Sequence, residues 1–286
     1  METVQHMTIF GTGLLGASIA LGLRKAGFSH AITGVGRREV TLDAARQLGC
    51  FSDLVLQDDA WDRLADCQLV VLATPLRWFE PLLEKLAAHQ HEAMVITDVG
   101  STKRKVCEDA QRLLRMPERF VGSHPMAGGE QHGPAHASAE LFRHAPCIIT
   151  RTDASTASAV ALTESLWSTL GMRLSQMTPA EHDQRVATIS HLPHAVAVLL
   201  VELAVREQSL SVASSGFRDT TRIASGDAQV WTDIFMTNRE ACMEATDALI
   251  AELRDFRDRL DRGDEHAVHD LLHRAKSARD HWAHGG

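Results

Sequence analysis

Three stretches of this chain hold residue types that could move a proton beside an anion. Gly122-Ser123-His124-Pro125-Met126-Ala127-Gly128-Gly129-Glu130 surrounds one imidazole with helix-breaking residues just past an apolar run. Ser190-His191-Leu192-Pro193-His194 follows, and then Gly216-Phe217-Arg218-Asp219-Thr220-Thr221-Arg222, with Trp231 a little further on. An imidazole with a pKa near ~6.5 can accept a proton at neutral pH. A guanidinium fork matches a carboxylate in shape and charge. The chain has 16 histidines, so any one taken alone is more simply a surface or packing residue, and His191 reads better as packing. Glu130 could be a solvated loop charge, and Asp219 with Arg222 a structural ion pair.

A second constellation points to a nucleotide. Met7–Phe10 is a short apolar run followed at once by Gly11-Thr12-Gly13-Leu14-Leu15-Gly16 and a helical pattern to Ala26. A lone GxGxxG means little, but directly after a strand and opening a helix it reads as a pyrophosphate loop. Gly11 suits the tight turn, Gly13 the close backbone approach, and Gly16 the helix–strand packing. The helix N-terminus then offers free N–H groups to phosphate. Thr74-Pro75, at the end of the run Leu69–Ala73, is a further turn on the same edge. An NAD site places Asp or Glu at the end of the second strand, about 20 residues past the glycines, for the ribose 2′-hydroxyl. Here that strand ends Gly36-Arg37-Arg38 with no carboxylate. Two guanidinium groups there suit a 2′-phosphate, so NADP is expected ahead of NAD. Taken alone, the two arginines could also be solvated surface.

The elements that position these residues change character once. Apolar runs at 7–10, 31–35, 69–73, 94–97, 120–122, 147–150 and 172–176 alternate with helical stretches near 41–48, 78–89 and 102–114. Such alternation implies βαβ units and a parallel sheet. Asp98-Val99-Gly100-Ser101-Thr102-Lys103 then falls at the carboxyl end of a strand, where open α/β sheets bind ligands. Beyond Thr178-Pro179 strand patterning stops, and helices are expected over 180–189, 195–208, 228–260 and 265–281. Leu249, Leu253, Phe256 and Leu260 make an apolar stripe on the third of these. The expected fold is α/β: a Rossmann-type dinucleotide-binding domain over 1–176, then an all-helical dimerisation domain over 177–286. A helical part this elongated seldom buries its own apolar faces, so a homodimer is expected.

Bulk properties exclude several classes. The formal charge of −8 on 286 residues disfavours nucleic acid, which needs a basic face. No apolar run reaches the roughly 18 residues of a membrane span, and no secretory leader is visible. Five scattered cysteines without a CxxC pair read as reduced thiols, so a cytoplasmic location is expected. The chain has no tyrosine, which removes the Tyr–Lys acid/base pair of short-chain dehydrogenases. His124, His132, His136 and Glu130 might suggest a metal, but the intervening Gly and Pro residues break any helix that would align them, and none is expected.

From the glycine loop to at least Trp231 the sequence resembles the prephenate/arogenate dehydrogenase family, above all in GSHPMAGGE, SHLPH and GFRDTTRIA. The resemblance implies oxidative decarboxylation of a cyclohexadiene acid with hydride transfer to a nicotinamide. It implies that His124 accepts the ring hydroxyl's proton and that Ser101 bonds the same hydroxyl and holds His124 in its useful tautomer. It implies that Arg222 binds a substrate carboxylate, with Arg218 as a second cation and Asp219 orienting Arg222. By the same likeness His194 and Ser190 contact substrate, Glu130 gates it or faces its side chain, and Trp231 comes from a partner subunit. A β-hydroxyacid dehydrogenase would instead need a lysine in the helical part, and none occurs between Met177 and Leu260. A nucleotide sensor without catalysis would be expected to have lost His124 or Ser101.

Overall fold

The computed structural model describes residues 1, 3–129 and 131–285. Its centre is an eight-stranded sheet in the order β3-β2-β1-β4-β5-β6-β7-β8. The strands are β1 (His6–Phe10), β2 (Ala31–Gly36), β3 (Asp53–Leu56), β4 (Leu69–Leu72), β5 (Val95–Asp98), β6 (Phe120–Pro125), β7 (Pro146–Thr150) and β8 (Arg173–Met177). Alternate residues of a strand face opposite sides, and both sides are covered here. Met7, Ile9, Leu69 and Val71 pack with Ile19, Leu23 and Trp167. Phe10, Val70 and Leu72 pack with Leu83, Leu86 and Phe120. Helices α1 (Leu14–Lys25), α2 (Glu39–Arg46), α3 (Phe79–His89), α4 (Arg104–Leu113) and α5 (Ala157–Thr169) connect the strands. The chain order reverses between β1 and β4, which opens the crevice where doubly wound sheets bind ligands.

The sheet is not parallel throughout. β6 and β7 pair antiparallel, His124 opposite Ile148. Among its described residues the intervening segment carries only a 3-10 turn at Pro134–His136 and no crossover helix, which an antiparallel neighbour does not need. Short β3 and helix α5 are both absent from the sequence reading.

After β8 the chain is helical: α6 (Pro179–Val186), a π-turn over Ala187–His191, α7 (Leu192–Arg206), α8 (Ser215–Thr221), α9 (Ala228–Thr237), α10 (Arg239–Asp261) and α11 (Glu265–Gly285). Two expectations need correction. The break expected at SHLPH is no break: Pro193 lacks the N–H that would reach back toward Ile189, and the π-turn absorbs the mismatch. Conversely, the single helix expected over 228–260 is interrupted at Asn238, whose backbone leaves helical geometry.

A third correction follows from the first. The sequence suggests no apolar run long enough for a membrane span, yet Pro179–Arg206 folds as 28 consecutive helical residues. It contains an 18-residue window of mean hydropathy 1.6, long and apolar enough to cross a membrane. Ile189, Leu199, Leu203 and Val205 lie exposed along it.

The chain divides into two compact units, Met1–Arg239 and Glu240–Gly286. The first holds the sheet and the helices through α9. The second is the rest of α10 with α11, and among its described residues none is buried. Among the described residues no disulfide forms; Cys50, Cys67, Cys107 and Cys147 are buried, and burial pushes the Cys107 thiol up to about 12.

Candidate active site

The glycine loop joins β1 to α1 as its sequence requires. Gly11 has φ +104°, and a Cβ there would lie 2.3 Å from the carbonyl oxygen of Ala73. A Cβ on Gly16 would lie 1.9 Å from the carbonyl oxygen of Gly11, whereas one on Gly13 would meet nothing within 4 Å. The two outer glycines are thus fixed by close packing, and the middle one faces open space. Around that space the hydroxyls of Thr12 and Thr74 are buried, without a hydrogen-bond partner among the described residues. Unpaired buried hydroxyls cost free energy unless a ligand uses them. With Thr74-Pro75 following β4, they line the crevice between β1 and β4. These residues fit a dinucleotide pyrophosphate.

Beside the loop, the Arg37 guanidinium lies 3.9 Å over the Trp78 ring, a cation–π contact that orients an otherwise mobile side chain. Burial pushes its pKa down, and the neighbouring cations Arg38 and Arg77 add to the shift. Arg77 is itself paired with Asp233 at 2.9 Å. Neither Trp78 nor Arg77 was marked by the sequence.

The second group of residues lies past β5 and β6. Asp98 closes β5 and is wholly buried with Lys103, to which it is ion-paired. Its remaining lone pairs accept from the Gly100 N–H at 2.8 Å and the Ser123 N–H at 3.0 Å. Thr97 and Ser123 hydroxyls bond at 2.6 Å. This network ties the loop holding Ser101 to the strand holding His124.

His124 is 8% exposed, and its Nδ1 lies 2.8 Å from Nε2 of His182 on α6. The far side of His182, Nδ1, is 2.7 Å from Oδ1 of Asp183. Asp183 in turn accepts the backbone N–H groups of Lys103 at 2.7 Å and Arg104 at 2.9 Å, at the open end of α4. Asn238, at the break between α9 and α10, donates to the Asp183 carbonyl at 2.8 Å and lies 3.1 Å from His191 Nδ1. Burial drives the His124 pKa well below the ordinary histidine value, and His182, Lys103 and His191 add to the shift. Burial also lowers His182 against the opposing hydrogen bond from Asp183, and pushes His191 down to about 4. The corner thus holds neutral imidazoles at neutral pH, which corrects the expectation of a base near 6.5.

The Nδ1 of His124 is bonded to His182, and among the described residues Ser101 makes no hydrogen bond to His124. His182 and Asp183 were missed because Glu181-His182-Asp183-Gln184 reads as the polar face of a helix.

On α7, His194 is buried and stacks on Trp231 of α9, with ring centroids 3.5 Å apart and planes 13° apart. Gly226 makes room for this stack, since a Cβ there would sit 2.4 Å from Trp231 Nε1. His194 Nδ1 is buried and has no hydrogen-bond partner among the described residues. Trp231, expected from a partner subunit, therefore meets His194 within one chain. Ser190 lies half-buried in the π-turn. Arg218, Asp219 and Arg222 are exposed on α8 and the turn after it. Asp219, expected to orient Arg222, makes its ion pair with Arg218 at 3.9 Å. Glu130 lies outside the described residues.

A doubly wound sheet with a glycine loop at its switch point, a neutral imidazole at its carboxyl edge and a helical continuation defines a two-part dinucleotide-dependent dehydrogenase. The particular kind follows from comparison with known proteins. Residues 19–176 match the family model described as prephenate dehydrogenase, nucleotide-binding domain, and residues 178–274 match prephenate dehydrogenase, dimerization domain. The chain belongs to the prephenate dehydrogenase family. It is 35% identical to the prephenate dehydrogenase of Bacillus subtilis (strain 168) over 94% of this chain and 74% of that one. It superposes with a TM-score of 0.90 at 31% identity on prephenate dehydrogenase from Aquifex aeolicus in complex with hydroxyphenyl propionate and NAD+, covering 96% and 97% of the two chains. Synechocystis arogenate dehydrogenase gives 0.84 at 30% identity, covering 97% and 99%.

Proposed function

We propose that this chain oxidatively decarboxylates arogenate and/or prephenate, with NADP preferred, yielding tyrosine and/or 4-hydroxyphenylpyruvate. The observation that carries this reading is the buried, neutral His124 at the carboxyl edge of a dinucleotide-binding sheet, in a chain of this family. The bound nicotinamide would supply a hydride acceptor. The protein's task is then to orient the ring, hold its carboxylate and manage one proton.

His124 takes the C4 hydroxyl proton as the C–O bond gains carbonyl character and hydride leaves C4. The bond from C1 to its carboxylate then breaks, its electron pair enters the ring, and carbon dioxide departs. The electrons reach the C4 oxygen, which recovers a proton from the imidazolium beside it, so no net proton is released. Ser101 bonds the same hydroxyl. Arg222 holds a carboxylate, with Arg218 nearby as a second cation, and His194, Ser190, Trp231, Asp219 and Glu130 complete the substrate surface. Gly11, Gly13, Leu14, Leu15 and Gly16 would hold the dinucleotide's pyrophosphate, with Thr74-Pro75 on the other side of the crevice.

NADP is favoured because β2 ends in Gly36 without a carboxylate, while Arg37 is held on Trp78 beside Arg38. NAD is the second reading, since the Aquifex relative is described with NAD+. Residues 1–176 act as the dinucleotide part and 177–286 as the substrate and dimerisation part. The exposed apolar side of α7 is the face on which two copies meet. The deciding experiment measures kcat/KM for prephenate and arogenate, each with NADP and with NAD. Higher values with NADP are expected; a preference for NAD would overturn the cofactor reading, and no turnover in any combination would overturn the reaction.

A further inference from the structure

We propose that His182 and Asp183 are positioning residues that fix His124 in the Nδ1–H tautomer, leaving a bare Nε2 to take the substrate proton. Only the final clause rests on the proposed reaction; the tautomer stands on hydrogen-bond direction alone.

The direction is set at the far end. A carboxylate has no proton to give, so Asp183 accepts at both oxygens, from the backbone N–H groups of Lys103 and Arg104 and from His182 Nδ1 at 2.7 Å. A neutral imidazole carries one N–H. With that proton on Nδ1, the Nε2 of His182 is an acceptor. Across 2.8 Å stands His124 Nδ1, which must therefore donate. Its own single proton is thereby used on the side away from substrate, and Nε2 keeps its lone pair. An isolated neutral imidazole in water prefers the opposite tautomer, so the environment imposes this one.

The alternative is a protonated His182, which would donate at both nitrogens and turn His124 into an Nε2–H donor unable to act as a base. The surroundings oppose it. The groups facing this pair are Asp183 on the same helix, Lys103 at the start of α4, Asp98 at the end of β5 and His191 in the π-turn. Burial outweighs the Asp183 hydrogen bond and keeps His182 below its usual range. The aspartate is itself held in place by the end of α4 and, through its backbone carbonyl, by Asn238. Once His124 becomes an imidazolium, its Nδ1–H already points along the chain that ends at this carboxylate. The arrangement follows the logic by which a buried aspartate orients a catalytic histidine in serine proteases.

The test is ring-nitrogen NMR on the full chain with 15N-labelled histidine, with kinetics on the same samples. His124 is expected as the Nδ1–H tautomer. Asp183→Asn, whose amide can donate back to His182, should shift His124 to Nε2–H and lower kcat about 10²–10⁴-fold with little change in KM. His182→Gln retains an acceptor near the position of Nε2 and should keep turnover within about 10-fold, whereas His182→Leu should lose about 10²-fold or more. This pair carries the kinetic test if Asp183→Asn does not fold. An Nε2–H tautomer in the wild-type chain would overturn the proposal, as would equal kcat in the Gln and Leu variants. An enzyme inactive on both substrates would fail the reaction proposed above, and the NMR would still decide the tautomer.

Discussion

At the carboxyl edge of the sheet, Asp98, Lys103, His124 and His182 are shut away from water and bonded to one another. On α8 and the turn after it, the side chains of Arg218, Asp219 and Arg222 are exposed, with Arg218 and Asp219 paired at 3.9 Å. The difference suits the roles proposed for each group. A group whose protonation state must be controlled gains from burial, because desolvation and fixed dipoles choose that state for it. A group that must meet an anion arriving from solution gains from exposure and long reach. One region should therefore govern the chemical step and the other capture, and the two should fail differently.

The largest effect is expected at the buried corner. His124→Asn should lower kcat by about 10²–10⁴-fold while cofactor affinity, measured by fluorescence titration, stays near wild type. Unchanged turnover would remove the imidazole from the mechanism. Arg222→Leu should act mainly on KM, with kcat/KM falling about 10–100-fold for loss of a charge-assisted contact. If kcat fell and KM did not, the division between chemistry and capture would be wrong. Arg37→Ala together with Arg38→Ala should raise the KM for NADP about 10-fold or more and leave that for NAD nearly unchanged. Equal losses for both cofactors would mean that the arginines serve the fold.

The smallest effect concerns stability. His124, His182 and His191 all have folded pKa values below the ordinary one, with His191 at about 4. Their unfolded forms bind protons below about 6.5, where the folded chain does not. The unfolding free energy should therefore show no contribution from them above that pH and decline as pH falls toward 4. Denaturant titrations across this range would show it, and a stability that rose on acidification would contradict it.

How much of this could be read in the sequence depended on how local the signal was. The glycine loop, the strand it follows and the arginines after β2 are contiguous features, so their placement was legible. Asp53–Leu56 is a four-residue strand opened by an aspartate, and Ala157–Thr169 mixes small and apolar residues without a clear face. Both were missed for lack of pattern. Apolar runs carry no direction, so the reversal at β7 was invisible. The histidine corner was the least legible part. His182 meets a partner 58 positions away, and Asp183 meets backbone groups 79 and 80 positions away. The break at Asn238 makes sense only once its amide is seen reaching Asp183 and His191. The same buried wiring that sets the proton state of His124 is what the linear pattern conceals.

The most direct test of a base kept neutral by burial is the pH dependence of kcat/KM, which reports the ionisations of the free enzyme. Activity should hold level down through about pH 6.5 and fall only below it, with an apparent pKa belonging to the His124–His182 pair and lying under the ordinary histidine value. An acid limb centred at or above 6.5 would contradict it, since the proton acceptor would then be an imidazole in ordinary contact with water.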